Sequence, residues 1–414
     1  MRRRSSKSVK AVFVVLFAVF IIICFLYYVL QVENETTKPV RSMGKSEKNY
    51  TEIFKKTFKS SQITKTTVSK RNELQKTAIL VMACNRPSVK RCLDALLKYR
   101  TAKIDFPILV SQDCQHKETS DTIESYDKDV KRIKLPHLPE IEVPSNMEHF
   151  RGYFKIARHY KLALVIVFNI LNYDNVIIVE DDLEIAPDFY EYFAATIPLL
   201  HKDSTLWCIS AWNDNGKTGF VKGNDLLYRS DFFPGLGWAL TKRVWKELEP
   251  KWPASFWDDW MRHLNQRDNR ACIRPEIPRT KTFGRIGVSN EQFFDQHLRK
   301  IQLNTEFFPF TNHDMSYLMK FNYDRNFKKK VYDSKLVSSN DVVQEKVDLP
   351  VVRIEYNSNR EFISLAKQFG LMDDLKAGVP RMAYLGIVSI MYGKYRVYIA
   401  PPLTWKSYNE DNEE

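Results

Sequence analysis

From residue 76 onward, continuous apolar runs alternate with amphipathic stretches. Thr77–Ala83 (TAILVMA) has neither charge nor alternation, the pattern of a strand covered on both faces. Cys84-Asn85-Arg86-Pro87 then reads as a turn. Over 88–99, Val89, Cys92, Leu93, Leu96 and Leu97 recur at helical spacing while Lys90, Arg91 and Lys98 fall off that stripe, which predicts an amphipathic helix. A second apolar run, 106–111, ends at Gln112-Asp113. A second helical stretch covers about 156–171, and a third apolar run, 176–179, stops at Glu180-Asp181-Asp182. This alternation predicts βαβ units around a parallel sheet, an α/β fold. Such sheets bind ligands beyond the carboxyl ends of their strands. Here Arg86, Asp113 and the acidic triplet each follow an apolar run directly.

The first 75 residues have another texture. Residues 1–10 hold Arg2, Arg3, Arg4, Lys7 and Lys10 and no acid, and 11–30 run without a charge. About 20 apolar residues cross a bilayer as a helix. A cleaved signal peptide has a shorter apolar core, of about 7–15 residues. The run is therefore read as a membrane anchor, with 1–10 in the cytosol and the rest in the lumen. Residues 31–75 are rich in Lys, Ser, Thr and Glu and poor in apolar side chains, so they read as a flexible stem; it carries acceptor sequons at Asn34 and Asn49. Of the formal charge of +13, residues 1–10 contribute +5 and 31–75 another +5, which leaves +3 for 76–414. The basic balance thus belongs to a membrane flank and a tether, and does not indicate nucleic acid.

The candidate chemistry is carboxylate chemistry. No Gly-x-Gly-x-x-Gly loop or Walker-type lysine is available to cradle a phosphate, and no Gly-x-Ser-x-Gly elbow or His-Glu-x-x-His appears. Three acids in a row after a buried strand repel one another unless a cation or hydrogen bonds compensate them, so a divalent ion is expected there. On an extended chain Glu180 and Asp182 would share one side and Asp181 the other. The bland alternative is a solvated acidic loop. A second cluster, FWDDWM at 256–261, frames two acids between Trp257 and Trp260, as a sugar pocket would; it also fits a helix N-terminus with core tryptophans. PGLGW at 234–238 reads as a tight turn, either beside a ligand or an ordinary loop. Cys24 lies in the predicted span, while Cys84, Cys92, Cys114, Cys208 and Cys272 lie in a part where oxidation is permitted, without zinc-site spacing.

Several long strings, VIIVEDDLEIAPDFYEYF, LWCISAWNDNGK, LYRSDFFPGLGW, FWDDWMR and RPEIPRTKTFGRIGVSNEQFFDQH, closely resemble the N-acetylglucosaminyltransferase I family. The resemblance runs from about residue 77 to the PPLTW near the end. It implies a GT-A glycosyltransferase fold, a Rossmann-like nucleotide-binding sheet over 76–320 with a smaller C-terminal domain over 321–414. It implies inverting transfer of N-acetylglucosamine from UDP-N-acetylglucosamine to O2 of the alpha-1,3-linked mannose of a high-mannose N-glycan, initiating hybrid and complex glycans. Mn2+ is the implied cofactor, with Asp182 as its ligand. Arg86, Asp113, His159, Glu180, Asp181 and Ser289 are implied donor contacts, and Asp258 the catalytic base. Trp257, Leu236 and Arg270 are implied to line the acceptor pocket. Disulfides Cys84–Cys114 and Cys208–Cys272 are implied, with Cys92 free. With the anchor, the resemblance implies a single-pass type II protein of the Golgi membrane with a luminal catalytic domain. Asn85 and Asn290-Glu291 depart from the family pattern, the latter beside Ser289. His159, inside IARHYKLAL, also reads as a structural helix residue.

Rival readings are an enzyme acting on O-linked mannose, an inactive membrane-tethered lectin of the same fold and, more distantly, a nucleotidyltransferase. The first usually carries an extra folded module, and a stem of about 45 residues with low apolar content argues against one. The second has no need of both Asp182 and Asp258.

Overall fold

The computed structural model of the chain describes residues 76–101, 106–133, 135, 139–285, 287–288 and 293–408. The expected cytosolic tail, anchor and stem (1–75) and Ser289 lie outside the described residues. Among the described residues no helix is long and apolar enough to cross a membrane.

The elements run β1 (Thr77–Ala83), α1 (Val89–Tyr99), β2 (Ile108–Gln112), α2 (Lys117–Glu124), β3 (Val130–Ile133), α3 (Arg151–Val165), β4 (Asn175–Glu180), β5 (Leu183–Ile185), α4 (Phe189–Lys202), β6 (Leu206–Ser210), β7 (Leu227–Ser230), β8 (Trp238–Thr241), α5 (Lys242–Leu248), α6 (Trp257–Arg262), α7 (Leu264–Arg267), β9 (Ala271–Pro275) and β10 (Thr280–Thr282). A C-terminal series follows: α8 (Lys320–Tyr332), β11 (Lys335–Leu336), α9 (Ser339–Val343), β12 (Val351–Glu355), α10 (Asn359–Phe369), β13 (Leu375–Lys376), β14 (Val379–Pro380), β15 (Val388–Tyr392) and β16 (Tyr395–Ala400). The fold is mixed α/β. Its central sheet has eight strands in the order β3-β2-β1-β4-β8-β6-β9-β7. Strands β3, β2, β1 and β4 are parallel, β8 is antiparallel to both β4 and β6, and β6 runs parallel to β9.

Both faces of this sheet are covered, which is why its inner strands are continuously apolar. Every residue of β1 is buried. Ile79, Val81 and Ala83 enter one core cluster, while Ala78, Leu80 and Met82 enter the other. Strand β4 divides likewise, Ile177 and Val179 to one side and Val176 and Ile178 to the other. That is the period of two expressed in a doubly covered sheet. Helix α1 closes the first face with Val89, Cys92, Leu93 and Leu96. Helices α3, α5 and α6 close the second with Ala157, Tyr160, Trp245 and Met261. Each fully buried Leu, Ile or Val contributes about 1.5–3 kcal/mol.

Two predicted bounds shift. Helix α3 begins at Arg151, ahead of 156, after a 3-10 turn over Ser145–Phe150, and passes into a π-helical turn over Ile166–Ile170. The apolar stripe did not mark the polar first turn, because that turn is only half-buried.

The second sheet, β11-β12-β16-β15, has its own core built on Val352, Ile390, Val397 and Phe362, and receives Phe232 from the loop after β7. It is seated on the first layer, since Tyr384, Tyr398 and Ala400 belong to the core of the central sheet. The cysteines pair as the resemblance implies. Cys84–Cys114 ties the ends of β1 and β2, Cys208–Cys272 joins facing residues of β6 and β9, and Cys92 is free and buried.

Candidate functional site

The carboxyl ends of β1, β2 and β4 bring three polar loops together. Glu180 is the last residue of β4, and Asp181 and Asp182 form the turn into β5. The turn overrides the alternation expected of an extended chain. Asp181 Oδ1 accepts a hydrogen bond from Arg86 Nη1 at 3.0 Å, and Asp182 Oδ2 accepts from the same nitrogen at 2.6 Å. The two aspartates therefore converge, and Glu180 diverges to accept a hydrogen bond from the Tyr160 hydroxyl at 2.7 Å. Asp181 is further held by the backbone N–H of Cys84, at 3.1 Å, so the disulfide loop and the acidic turn are one unit.

Crowding and burial leave a clear electrostatic mark. Burial, and then the charge of Asp182, push the Glu180 carboxyl up to about 8. Burial also raises Asp181 to about 6 against the pull of Arg86, and raises Asp182. Burial tends to lower the Arg86 guanidinium, but Asp182 and Asp181 outweigh it and hold it above its ordinary value. Such a site gains from more positive charge. Among the described residues no three His, Cys, Asp or Glu side chains form a ready cage for a metal, because Glu180 points away from the other two. A hard divalent ion that takes its remaining ligands from phosphates and water needs only one or two carboxylates. Asp182, with Asp181 beside it, fits that requirement.

Antiparallel pairing of β5 with β10 carries the next loop over the acids: Phe283 N–H donates to the Asp182 carbonyl at 2.9 Å. At Gly284 an added Cβ would lie 2.1 Å from Asp182 Oδ2, so only glycine permits this approach. At Gly287 a Cβ would be 3.2 Å from Arg86 Nη2. Ser289 follows two residues later, outside the described residues.

Asp113 stands just past β2, its N–H bonded to the Ala83 carbonyl at 2.9 Å. His159 lies beneath this edge, its Nε2 sharing a 2.9 Å hydrogen bond with Ser111 Oγ. Burial lowers its imidazole to about 4, with Asp113 opposing the shift, so the ring is neutral at neutral pH. His159 is a packed helix residue that underlies Asp113.

The second acidic cluster is the first turn of α6. Trp257 and Met261, one helical turn apart, face the core; Asp258 and Asp259 take the open side, with Arg262 largely buried beside them. Arg262 Nη1 donates to Asp258 Oδ2 at 3.0 Å and to Asp259 Oδ1 at 2.6 Å. Lys376 on β13 approaches Asp259 to 3.4 Å, so the C-terminal layer reaches this site. Burial pushes the Asp259 carboxyl up, but Arg262 and Lys376 outweigh it and hold it below the usual range. Asp258 is 41% exposed, and its Oδ1 takes no hydrogen bond among the described residues.

The two clusters are linked through the buried Tyr160. Its ring stacks on Trp257 at 4.2 Å, and its hydroxyl binds Glu180. Burial raises the Tyr160 phenol far above its ordinary value, and the charges of Glu180, Asp258 and Asp182 raise it further. One phenol therefore lies within range of both acidic groups. Tyr160, Arg262 and Lys376 were missed in the sequence. Only the (i, i+4) spacing of Asp258 and Arg262 hinted at one of them.

Two expected acceptor residues need correction. Trp257 is only 5% exposed, enclosed by Tyr160, Trp238, Trp252 and Phe233, so it supports a wall and offers no open face. Arg270 precedes β9, which runs in the direction of β4, so it sits at the opposite edge of the sheet from Asp182. There it is buried, paired with Glu247 at 2.8 Å and donating to the carbonyls of Gln266 and Arg267. Leu236 is half-buried in the glycine turn before β8, its carbonyl accepting from Thr280 Oγ1 at 2.7 Å. Gly237 there has φ +79°, and a Cβ on it would strike Thr280 at 2.5 Å.

Fold and site together define an α/β enzyme with its acidic centre beyond the carboxyl ends of the parallel strands of a mixed sheet. Comparison with known proteins narrows this further. The chain belongs to the GNT-I family, whose family model matches residues 28–412. It is similar to the alpha-1,3-mannosyl-glycoprotein 2-beta-N-acetylglucosaminyltransferase of Arabidopsis thaliana, 40% identical over 336 residues, which cover 80% of this chain and 74% of that protein. Among solved structures, it is similar to S. aureus TarS in complex with UDP-GlcNAc, with a TM-score of 0.36, 16% identity and coverage of 51% of this chain and 60% of that one. It is also similar to a Pyrobaculum calidifontis mannosyltransferase in complex with GDP-Man and Mn2+, with a TM-score of 0.32, 13% identity, and coverage of 49% and 57%.

Proposed function

We propose that this protein transfers N-acetylglucosamine from UDP-N-acetylglucosamine to O2 of the alpha-1,3-linked mannose of a high-mannose N-glycan, with inversion at the sugar carbon, on a GT-A fold. The observation that supports the chemistry is the link between the two acidic clusters through Tyr160, whose hydroxyl binds Glu180 and whose ring stacks on Trp257 beside Asp258. The relative's name supports the choice of sugar and acceptor.

In this reading Arg86 meets the diphosphate of the donor, Glu180 and Asp181 lie near its ribose and sugar, and Asp113 and His159 take the uridine end. Manganese held by Asp182 and donor phosphates would supply positive charge to the departing UDP. Asp258 Oδ1 takes the proton of the mannose 2-hydroxyl as that oxygen attacks C1 and the bond to UDP breaks. Arg262, bonded to Oδ2, keeps the carboxylate aimed. The chain is further proposed to be held in the Golgi membrane by 11–30, with 31–75 as tether; the charge-free length of 11–30 and the basic residues before it support this. A division into 76–320 and 321–414 is proposed with it.

The test is to incubate the luminal part (31–414) with UDP-N-acetylglucosamine, manganese and either a five-mannose N-glycan or an O-mannosyl peptide. One added N-acetylglucosamine on the N-glycan alone is expected. Addition only to the peptide, or to neither, overturns the assignment.

A further inference from the structure

We infer that the half-buried rings of Phe150, Tyr153 and Phe256 form a sugar-stacking subsite beside Asp258, which holds a second residue of a branched mannose oligosaccharide while its neighbour meets the carboxylate. This rests on the acceptor reading above and extends it. Tyr153 and Phe256 stack at 4.5 Å with planes 26° apart. Phe150 closes edge-on, 5.2 Å from Phe256 and 6.0 Å from Tyr153. The aromatic residues around Trp257 are buried in the core. These three belong to no core cluster and stay partly exposed.

Three further observations point the rings at the acceptor. Phe256 has φ +47° and ψ +44°, a left-handed conformation that a bulky residue avoids. Strain of this kind persists where the surroundings impose it, commonly at ligand sites. Here the strained residue sets Phe256 against Tyr153 immediately before the helix that bears Asp258. Tyr153 is also within electrostatic range of Asp258 and Asp259: burial raises its phenol and both carboxylates raise it further. On the other side, Val288 packs so close to Gly152 that an added Cβ there would meet it at 2.6 Å, which brings the loop leading to residue 289 against the same turn of α3. The rings therefore lie between the loop over Asp182 and the candidate base.

The rim matches a carbohydrate. Arg151 and Glu148 pair at 2.6 Å beside Phe150, and Asp258 and Asp259 lie within electrostatic range of Tyr153. A pyranose presents C–H groups on its face and hydroxyls at its edge, which suits a few rings bordered by charged hydrogen-bonding groups. Three rings are too small a patch for a stable protein interface, which buries about 800 Å² per partner.

The experiment compares wild type with Tyr153→Ala, Phe150→Ala and Tyr153→Phe. Two acceptors are used, a five-mannose N-glycan and a disaccharide containing the accepting mannose. In both alanine variants kcat/KM for the branched glycan relative to the disaccharide falls about tenfold. The KM for UDP-N-acetylglucosamine is unchanged, and Tyr153→Phe keeps the wild-type ratio because the ring is what stacks. An unchanged ratio in both alanine variants, or the same fall in Tyr153→Phe, overturns the subsite. Saturation-transfer NMR with the five-mannose glycan separates this failure from that of the transferase assignment. Glycan contacts that vanish in Tyr153→Ala, in a protein that transfers nothing, support the subsite and refute the transferase. Efficient transfer with unaltered ratios does the reverse.

Discussion

Asp258→Asn separates chemistry from structure because its two consequences differ in size. Asn keeps the shape of the side chain, and its amide oxygen can still accept from Arg262 Nη1, which sits 3.0 Å from Asp258 Oδ2 and also holds Asp259 at 2.6 Å. The ion pair that is lost involves a side chain 41% exposed, so its contribution to stability is about 1 kcal/mol or less. Removing a positioned general base, by contrast, costs about 10² to 10⁴ in rate, about 3–5 kcal/mol of barrier. The variant should melt close to wild type and bind UDP with manganese equally well by calorimetry. Its initial rate of glycan mass gain should fall by that factor. Turnover within a few-fold of wild type would refute the role of Asp258 and shift attention to Asp259 on the same face. A collapse of both stability and UDP binding would mean that the residue holds the fold together.

Two further predictions rest on close packing and burial. Gly284→Ala places a Cβ 2.1 Å from Asp182 Oδ2 and so displaces the carboxylate from Arg86; UDP affinity in manganese should fall about 10²-fold, and unchanged affinity by calorimetry would show that Asp182 does not hold the donor's cation. His159 drops from 6.5 to about 4 on folding, so its contribution is complete above about pH 6.5 and is lost as pH falls through 4, about 3 kcal/mol in all. Urea unfolding of wild type and His159→Gln at about pH 7 and pH 4.5 should show a flatter pH dependence in the variant, and parallel curves would contradict the burial argument.

Much of the architecture could be read along the chain because it depends on local periodicity. The unbroken apolar run of Thr77–Ala83 announced a doubly covered strand, and the stripe from Val89 to Leu97 announced α1. The acids after β4 were legible because three charges cannot follow a buried strand without compensation. Their directions were not: the turn at Asp181–Asp182 breaks the alternation of the strand, and Arg86, 95 and 96 residues away, determines where the two carboxylates point. Arg270 was misplaced for a related reason, since its edge of the sheet depends on the direction of β9, which follows from pairing through β6 and β8.

Residue types and spacing alone thus determined which segments become strands and helices, and that clustered carboxylates follow the end of a buried strand. Short-range sterics and the cost of burying charge operate over a few neighbouring residues, so they leave a trace in the order of the chain. Tertiary structure alone decided that Tyr160 joins Glu180 to Trp257, that Trp257 belongs to the core, and that Lys376 reaches Asp259 from 117 residues away. These contacts arise when packed layers bring distant segments within a few ångströms, and no local rule relates such segments to one another.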